Sequence, residues 1–164
     1  MESSAPRTDH QGEEAEGLEA LQSVTRMLTG VALRSLDVLE GAVTLPQFRM
    51  LAVLADLGPA RSVQVARALG LEASTITRLA DRLVGAGYVT RGSEPGHRGV
   101  VTLDLTATGR LLVSNVAAWR QQELARMLGR LPAAQRVRVT DALQHLVAAA
   151  GEGYGIASRT LVPV

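Results

Sequence analysis

The chain has 164 residues, 46% of them hydrophobic, with no cysteine and a formal net charge of +1 at pH 7. That length and apolar fraction support one folded core and exclude a disordered chain, while the lack of cysteine excludes disulfides, thiolate metal sites and thiol-based redox switching. With one Phe, two Tyr and one Trp, the core has to be built from Leu, Val and Ala, which suits helices packed on helices.

Residues 1–17 read as a disordered acidic tail, since residues 1–20 carry one Arg against six acids. The segment lacks the apolar stretch of a signal peptide. No apolar run approaches the ~20 residues that span a bilayer, so a cytoplasmic protein with no membrane partner is expected. The rest of the chain is correspondingly basic, with seven Arg against four acids between Arg61 and Arg110. All 17 basic residues are Arg. GC-rich coding accounts for that bias, and the planar guanidinium also suits phosphate and guanine contacts.

From about Leu18 to Leu39 the pattern is helical. Leu21, Val24, Leu28, Val31 and Val38 recur at three- and four-residue steps, with Ser35 in the missing position, and such a seam faces another helix. Gly41 ends it. A second helix begins near Pro46, buries Phe48, Leu51, Ala52 and Leu54, and stops at Gly58-Pro59. A short helix follows from Ser62 to Gly70. Leu71-Glu72-Ala73 is a tight connection, and Ser74 opens a helix to about Ala86, with Gly87 as its stop. Helix, short turn, helix is the helix-turn-helix spacing. The period then changes to two in Tyr88–Arg91 and Val100–Leu105, which read as a two-stranded β-hairpin with a Gly-rich tip. Thr106 is a candidate N-cap for a long helix to about Leu128, and Pro132 begins the last helix, to about Ala149. Residues 151–164 read as a flexible tail. The fold expected is mainly α, with about six helices and a two-stranded wing.

The helix from Ser74 carries the functional signal. At about 100° per residue, Ile76, Leu79, Ala80, Leu83, Val84 and Ala86 share one face, suited to docking on Val65, Leu69 and Leu51. Ser74, Thr75, Thr77, Arg78, Asp81, Arg82 and Gly85 take the other. A B-DNA major groove about 12 Å wide admits such a helix. Short hydroxyl side chains allow close approach, and Arg78 and Arg82 reach guanine edges or phosphates. A solvated surface helix uses the same residue types; the preceding helix, the tight turn and the hairpin favour DNA. Asp81 would repel phosphate unless Arg78 or Arg82 neutralises it. In the wing, Arg91, His97 and Arg98 are the candidate contacts, and Arg98 at the tip suits a narrow minor groove.

His10, His97 and His145 are too far apart in sequence for a zinc site. No phosphate-binding glycine loop, HExxH or GxSxG is present. Neither an enzyme nor a metal or other cofactor is expected. Met27, Phe48 and Trp119 are candidates for a ligand pocket, against the simpler assignment to core or interface packing.

The stretch from Leu45 to Arg110 resembles the MarR family of winged helix-turn-helix regulators. The resemblance lies in Thr44-Leu45-Pro46-Gln47-Phe48, Val65–Gly70, Ser74–Leu83, Gly87–Arg91 and Leu105-Thr106-Ala107-Thr108-Gly109-Arg110, whose order and spacing are more specific than any one piece. The resemblance implies a homodimer with residues 18–43 and 106–150 as dimerisation helices around a DNA-binding lobe at 44–105. Leu21, Val24, Leu28, Val137, Leu143 and Leu146 would then lie in the interface. It further implies Ser74, Thr75, Thr77 and Arg78 in the major groove, Arg98 in the minor groove, a pseudo-palindromic operator, repression more than activation, and release by a small aromatic or phenolic effector. The wing departs from the family pattern: His97 stands where an acid usually holds the wing arginine, and Gly99 replaces a second basic residue. That departure is the basis of an alternative reading, a helical dimer that binds a small molecule or protein without DNA.

Overall fold

The computed structural model describes residues 7–93 and 100–150. Among them run α1 (Arg7–Arg34), α2 (Leu45–Leu57), β1 (Ala60–Arg61), α3 (Ser62–Leu69), α4 (Ala73–Gly85), β2 (Val89–Ser93), β3 (Val101–Leu105), α5 (Ala107–Gly129) and α6 (Ala133–Ala150). The three strands form one antiparallel sheet in the order β1-β3-β2. Ala60 pairs with Leu103, and Val89 with Leu105.

Three boundaries differ from the sequence reading. Helix α1 starts at Arg7, so residues 7–17 of the segment read as a disordered tail are helical; Glu, Gln and Ala are good helix formers, and acids near an N-terminus oppose the positive end of the helix dipole. The same helix stops at Arg34 rather than Leu39. Ser35 Oγ donates to the Ala32 carbonyl at 2.6 Å, a 3-10 turn follows at Asp37–Leu39, and Glu40 and Gly41 (φ 47° and 78°) reverse the chain. Finally, the expected two-stranded hairpin gains β1 as a third strand along the free edge of β3.

Helix α2 is the axis of the core. Thr44 N–H donates to Gln47 Oε1 at 2.7 Å, closing its first turn, and Phe48, Met50, Leu51, Ala52, Val53 and Leu54 are buried. It packs on α3, α4, α5 and β3. Val65 and Leu69 of α3, Ile76, Leu79 and Leu83 of α4, Val89, Leu103 and Leu105 of the sheet, and Val113 and Val116 of α5 complete the cluster. The aliphatic core anticipated from composition is therefore present, with Phe48 as its one phenylalanine.

Helix α6 is the opposite case. It has no buried residue, yet it presents Val137, Val139, Leu143, Leu146 and Val147 to solvent, Val147 at 72% exposure. On α1, Leu21 is exposed and Val24 and Leu28 are half-buried. Among the described residues of the protomer, nothing covers these apolar side chains of α6.

Candidate nucleic-acid interface

Helix α4 is positioned from beneath. Ile76, Leu79, Ala80 and Leu83, at three- and four-residue steps, are buried on α2 and α3, so the opposite side of the helix must face outward. Ser74, Thr77, Arg78, Asp81 and Arg82 are exposed, and Thr75 is half-buried at the edge. The helix starts at Ala73, one residue before the expected Ser74. Its N-cap, Glu72, makes no side-chain cap hydrogen bond; Thr75 N–H donates to the Glu72 carbonyl at 3.0 Å, which leaves the Ala73 and Ser74 N–H groups for an external acceptor. Thr77 Oγ1 donates to the Ala73 carbonyl at 3.0 Å. Its hydroxyl proton is thereby engaged, while its methyl group and the oxygen lone pairs remain.

The charges around this face fall into two groups. Arg91 on β2 is ion-paired with Asp81 on α4, and Arg110 with Asp104 at 2.8 Å. Among the described residues, Arg67, Arg78 and Arg82 have no such partner. Sequence reasoning expected Asp81 to pair within its own helix with Arg78 or Arg82. Its partner instead lies across the junction with the wing, which leaves both helix arginines available and ties the base of β2 to α4. As an exposed pair it contributes at most about 1 kcal/mol to stability. His97 and Arg98 lie outside the described residues.

Two features that position this face were not anticipated. The turn between α4 and β2 is closed by Gly87 at φ 78° and bound to the start of α5. Thr106 N–H donates to the Tyr88 carbonyl at 3.0 Å, and its Oγ1 donates to the Gly87 carbonyl at 2.7 Å and accepts from Gly109 N–H at 3.0 Å. The predicted Thr106 cap is thus also a strut to the turn that follows α4. The second feature is Arg120 of α5, which reaches Ser35 beyond the end of α1 and lies over the Phe48 ring of α2.

The three candidate pocket residues sit apart in kind. Met27 is exposed on α1, Trp119 is half-buried on α5, and Phe48 is buried in the core. A cleft of about 340 Å³ lies instead between the α1–α2 connection and the first turns of α5, lined by Val38, Leu39, Glu40, Ala42, Tyr88, Thr108, Leu111, Leu112 and Asn115. None of Met27, Phe48 or Trp119 lines it. Among the described residues, no helix is long and apolar enough to cross a membrane, and no cluster of three metal-binding side chains occurs.

Known proteins share this architecture. Residues 43–98 match the sequence pattern of the MarR family. The HTH-type transcriptional repressor NicR of Pseudomonas putida is 28% identical over 101 residues, 62% of this chain and 64% of the repressor, so the chain spans just under two thirds of that relative. The crystal structure of RV1404 from Mycobacterium tuberculosis superposes with a TM-score of 0.75 at 31% identity, over 93% of this chain and 100% of that one. The transcriptional regulator Tm0710 of Thermotoga maritima does so with a TM-score of 0.70 at 25% identity, over 85% and 97%. Because the likeness reaches past the helix-turn-helix into the flanking helices, the chain belongs to the MarR family, whose members are DNA-binding transcriptional regulators and not enzymes.

Proposed function

We propose that this regulator acts as a homodimer on a pseudo-palindromic operator, with α4 of each protomer in the major groove and half-sites about one helical turn, ~10 bp, apart. The observation that carries this is the outward side of α4: short hydroxyl side chains beside two arginines that have no acidic partner among the described residues, on a helix held by its buried side. Ser74, Thr75 and Thr77 lie close to the duplex, and Arg78 and Arg82 supply guanine or phosphate contacts. The family resemblance also implies a minor-groove contact by Arg98, which lies with His97 outside the described residues. The uncovered apolar side chains of α6, including Val137, Leu143 and Leu146, together with Leu21, Val24 and Leu28 of α1, support dimerisation on the flanking helices.

Repression is favoured over activation by the named repressor among its relatives. The cleft beside Tyr88, with leucine walls and the polar groups of Thr108 and Asn115, falls within the usual size of small-ligand sites, about 300–1,000 Å³. Its size suits a small effector that releases the protein from DNA; an aromatic or phenolic one is what the family resemblance implies. The protein then works where the chromosome is, in the cytoplasm.

The test is fluorescence anisotropy of a labelled duplex taken from the gene's own upstream region, titrated with salt. The expected result is an affinity that falls steeply with salt, at a slope of about −0.9 per phosphate neutralised, and that drops in Arg78→Ala. A dimer with no salt-dependent DNA affinity would instead favour the DNA-free reading.

A further inference from the structure

Arg120, on α5, is only 9% exposed. Its Nε donates to Ser35 Oγ at 2.7 Å, and its guanidinium carbon lies 5.8 Å from the centroid of the Phe48 ring, within cation–π range. Ser35 in turn donates to the Ala32 carbonyl at the end of α1. One side chain therefore joins the end of α1, the core helix α2 and the long helix α5. Burial lowers its pKa by desolvation. Withdrawing a guanidinium from water is costly unless its partners are well placed, and a leucine or methionine would serve packing alone at little cost.

The other anchor of α5 is the strut from Thr106 to the Gly87 and Tyr88 carbonyls. At 1.5 Å per residue the two anchors are about 21 Å apart along the helix. Between the two, Val113 and Val116 seat α5 on the core, and Arg120, one turn beyond Val116, holds the helix where that apolar seat ends. A 10° change in the direction of α5 beyond Val116 would move its end at Gly129, about 20 Å further on, by about 3.4 Å, the rise of one base-pair step.

We propose that Arg120 is a positioning residue for DNA recognition: by clamping α5 onto Phe48 and Ser35, it fixes the angle between the flanking helices and the lobe carrying α4, and hence the separation of the two α4 helices in the dimer. This inference rests on the dimeric DNA-binding reading above. It assigns Arg120 no contact with DNA.

The test uses full-length dimers of wild type, Arg120→Met and Phe48→Leu. Arg120→Met keeps a long unbranched side chain and removes the guanidinium; Phe48→Leu keeps an apolar core and removes the ring beneath it. The probes are a random-sequence duplex and a series built from the half-site that wild type enriches from a random duplex library, with the spacer changed by −1, 0, +1 and +2 bp. Wild type should lose about tenfold or more in affinity per one-base-pair change in spacer, comparable to a mismatched base pair. Both variants should keep the wild-type dimer mass, random-duplex affinity and salt slope, while the spacer penalty falls to about twofold or less. A folded Arg120→Met with the full spacer penalty overturns the proposal, and so does one whose random-duplex affinity falls in equal measure. If Arg120→Met does not fold, the same two results in Phe48→Leu overturn the proposal, and a reduced spacer penalty there supports it. A wild-type protein that enriches no duplex overturns the DNA-binding reading and this inference with it, a result obtained before any variant is made.

Discussion

Replacing Gly109 by alanine should destabilise the protein, although alanine is the better helix former. Gly109 lies in the first turn of α5, where the helix meets the turn after α4. A Cβ there would sit 2.2 Å from the Tyr88 carbonyl oxygen, 3.1 Å from its carbon and 3.3 Å from Leu105 Cδ2. Carbon and oxygen approach to about 3.3 Å without repulsion, so α5 must retreat by about 1 Å. That movement strains the bonds from Thr106 to the Tyr88 and Gly87 carbonyls. Overpacking costs about 1–3 kcal/mol and each weakened hydrogen bond about 1, offset by up to about 1 kcal/mol of helix propensity. The net loss is about 2–4 kcal/mol, or about 4–16 °C in Tm for a chain of this size. Gly85 is the matched control. It lies in α4 with nothing within 4 Å of an added Cβ, so Gly85→Ala should raise Tm by about 1–4 °C. The assay is thermal unfolding followed by circular dichroism at fixed protomer concentration, because the Tm of a dimer depends on concentration. An unchanged or raised Tm for Gly109→Ala would refute the close approach on which this reasoning depends.

Three further outcomes are expected. Arg78→Ala should lose about 1–3 kcal/mol of operator binding and relax preference at one base pair per half-site; equal loss on all sequences would reassign it to phosphate, and no loss would remove it from the interface. Asp81→Asn should release Arg91, tightening random-duplex binding and steepening the salt slope by about one phosphate, ~0.9 units, with Tm nearly unchanged because the pair is exposed; an unaltered slope would show that Arg91 does not reach the backbone. Leu143→Asp with Leu146→Asp should yield monomers in sedimentation velocity, since both side chains lie on the otherwise uncovered α6; a surviving dimer would place the interface elsewhere.

What could be read in advance was whatever obeys a local period. The apolar spacing of Ile76, Leu79, Ala80 and Leu83 made the buried side of α4 visible, and the outward side followed by subtraction. Alternation from Val101 to Leu105 marked the wing strand in the same way. Strand β1 is two residues long and preceded by Pro59, too short to show any period, and it exists only because β3 offers it an edge. The Asp81–Arg91 pair escaped notice because helical spacing suggested neighbours three or four residues away, whereas the partner sits ten residues on, across a turn. Arg120 was invisible for the same reason at larger scale. Its partner Ser35, 85 residues earlier, appeared only as a polar residue filling an apolar seam. Gly109 was legible as part of the stretch that carries the family resemblance but not as a point of contact, since the atom it must avoid belongs to Tyr88. The start of α1 was misjudged by weighing acidity above helix propensity.

Operator recognition, as proposed, depends on α4 entering the major groove once per protomer. Dimethyl sulfate interference on a bound operator tests this most directly, because methylation of guanine N7 blocks only the major groove. The expected result is interference at guanines in two patches related by a dyad, centred about one helical turn, ~10 bp, apart. A single patch, or interference confined to adenine N3 in the minor groove, would contradict it.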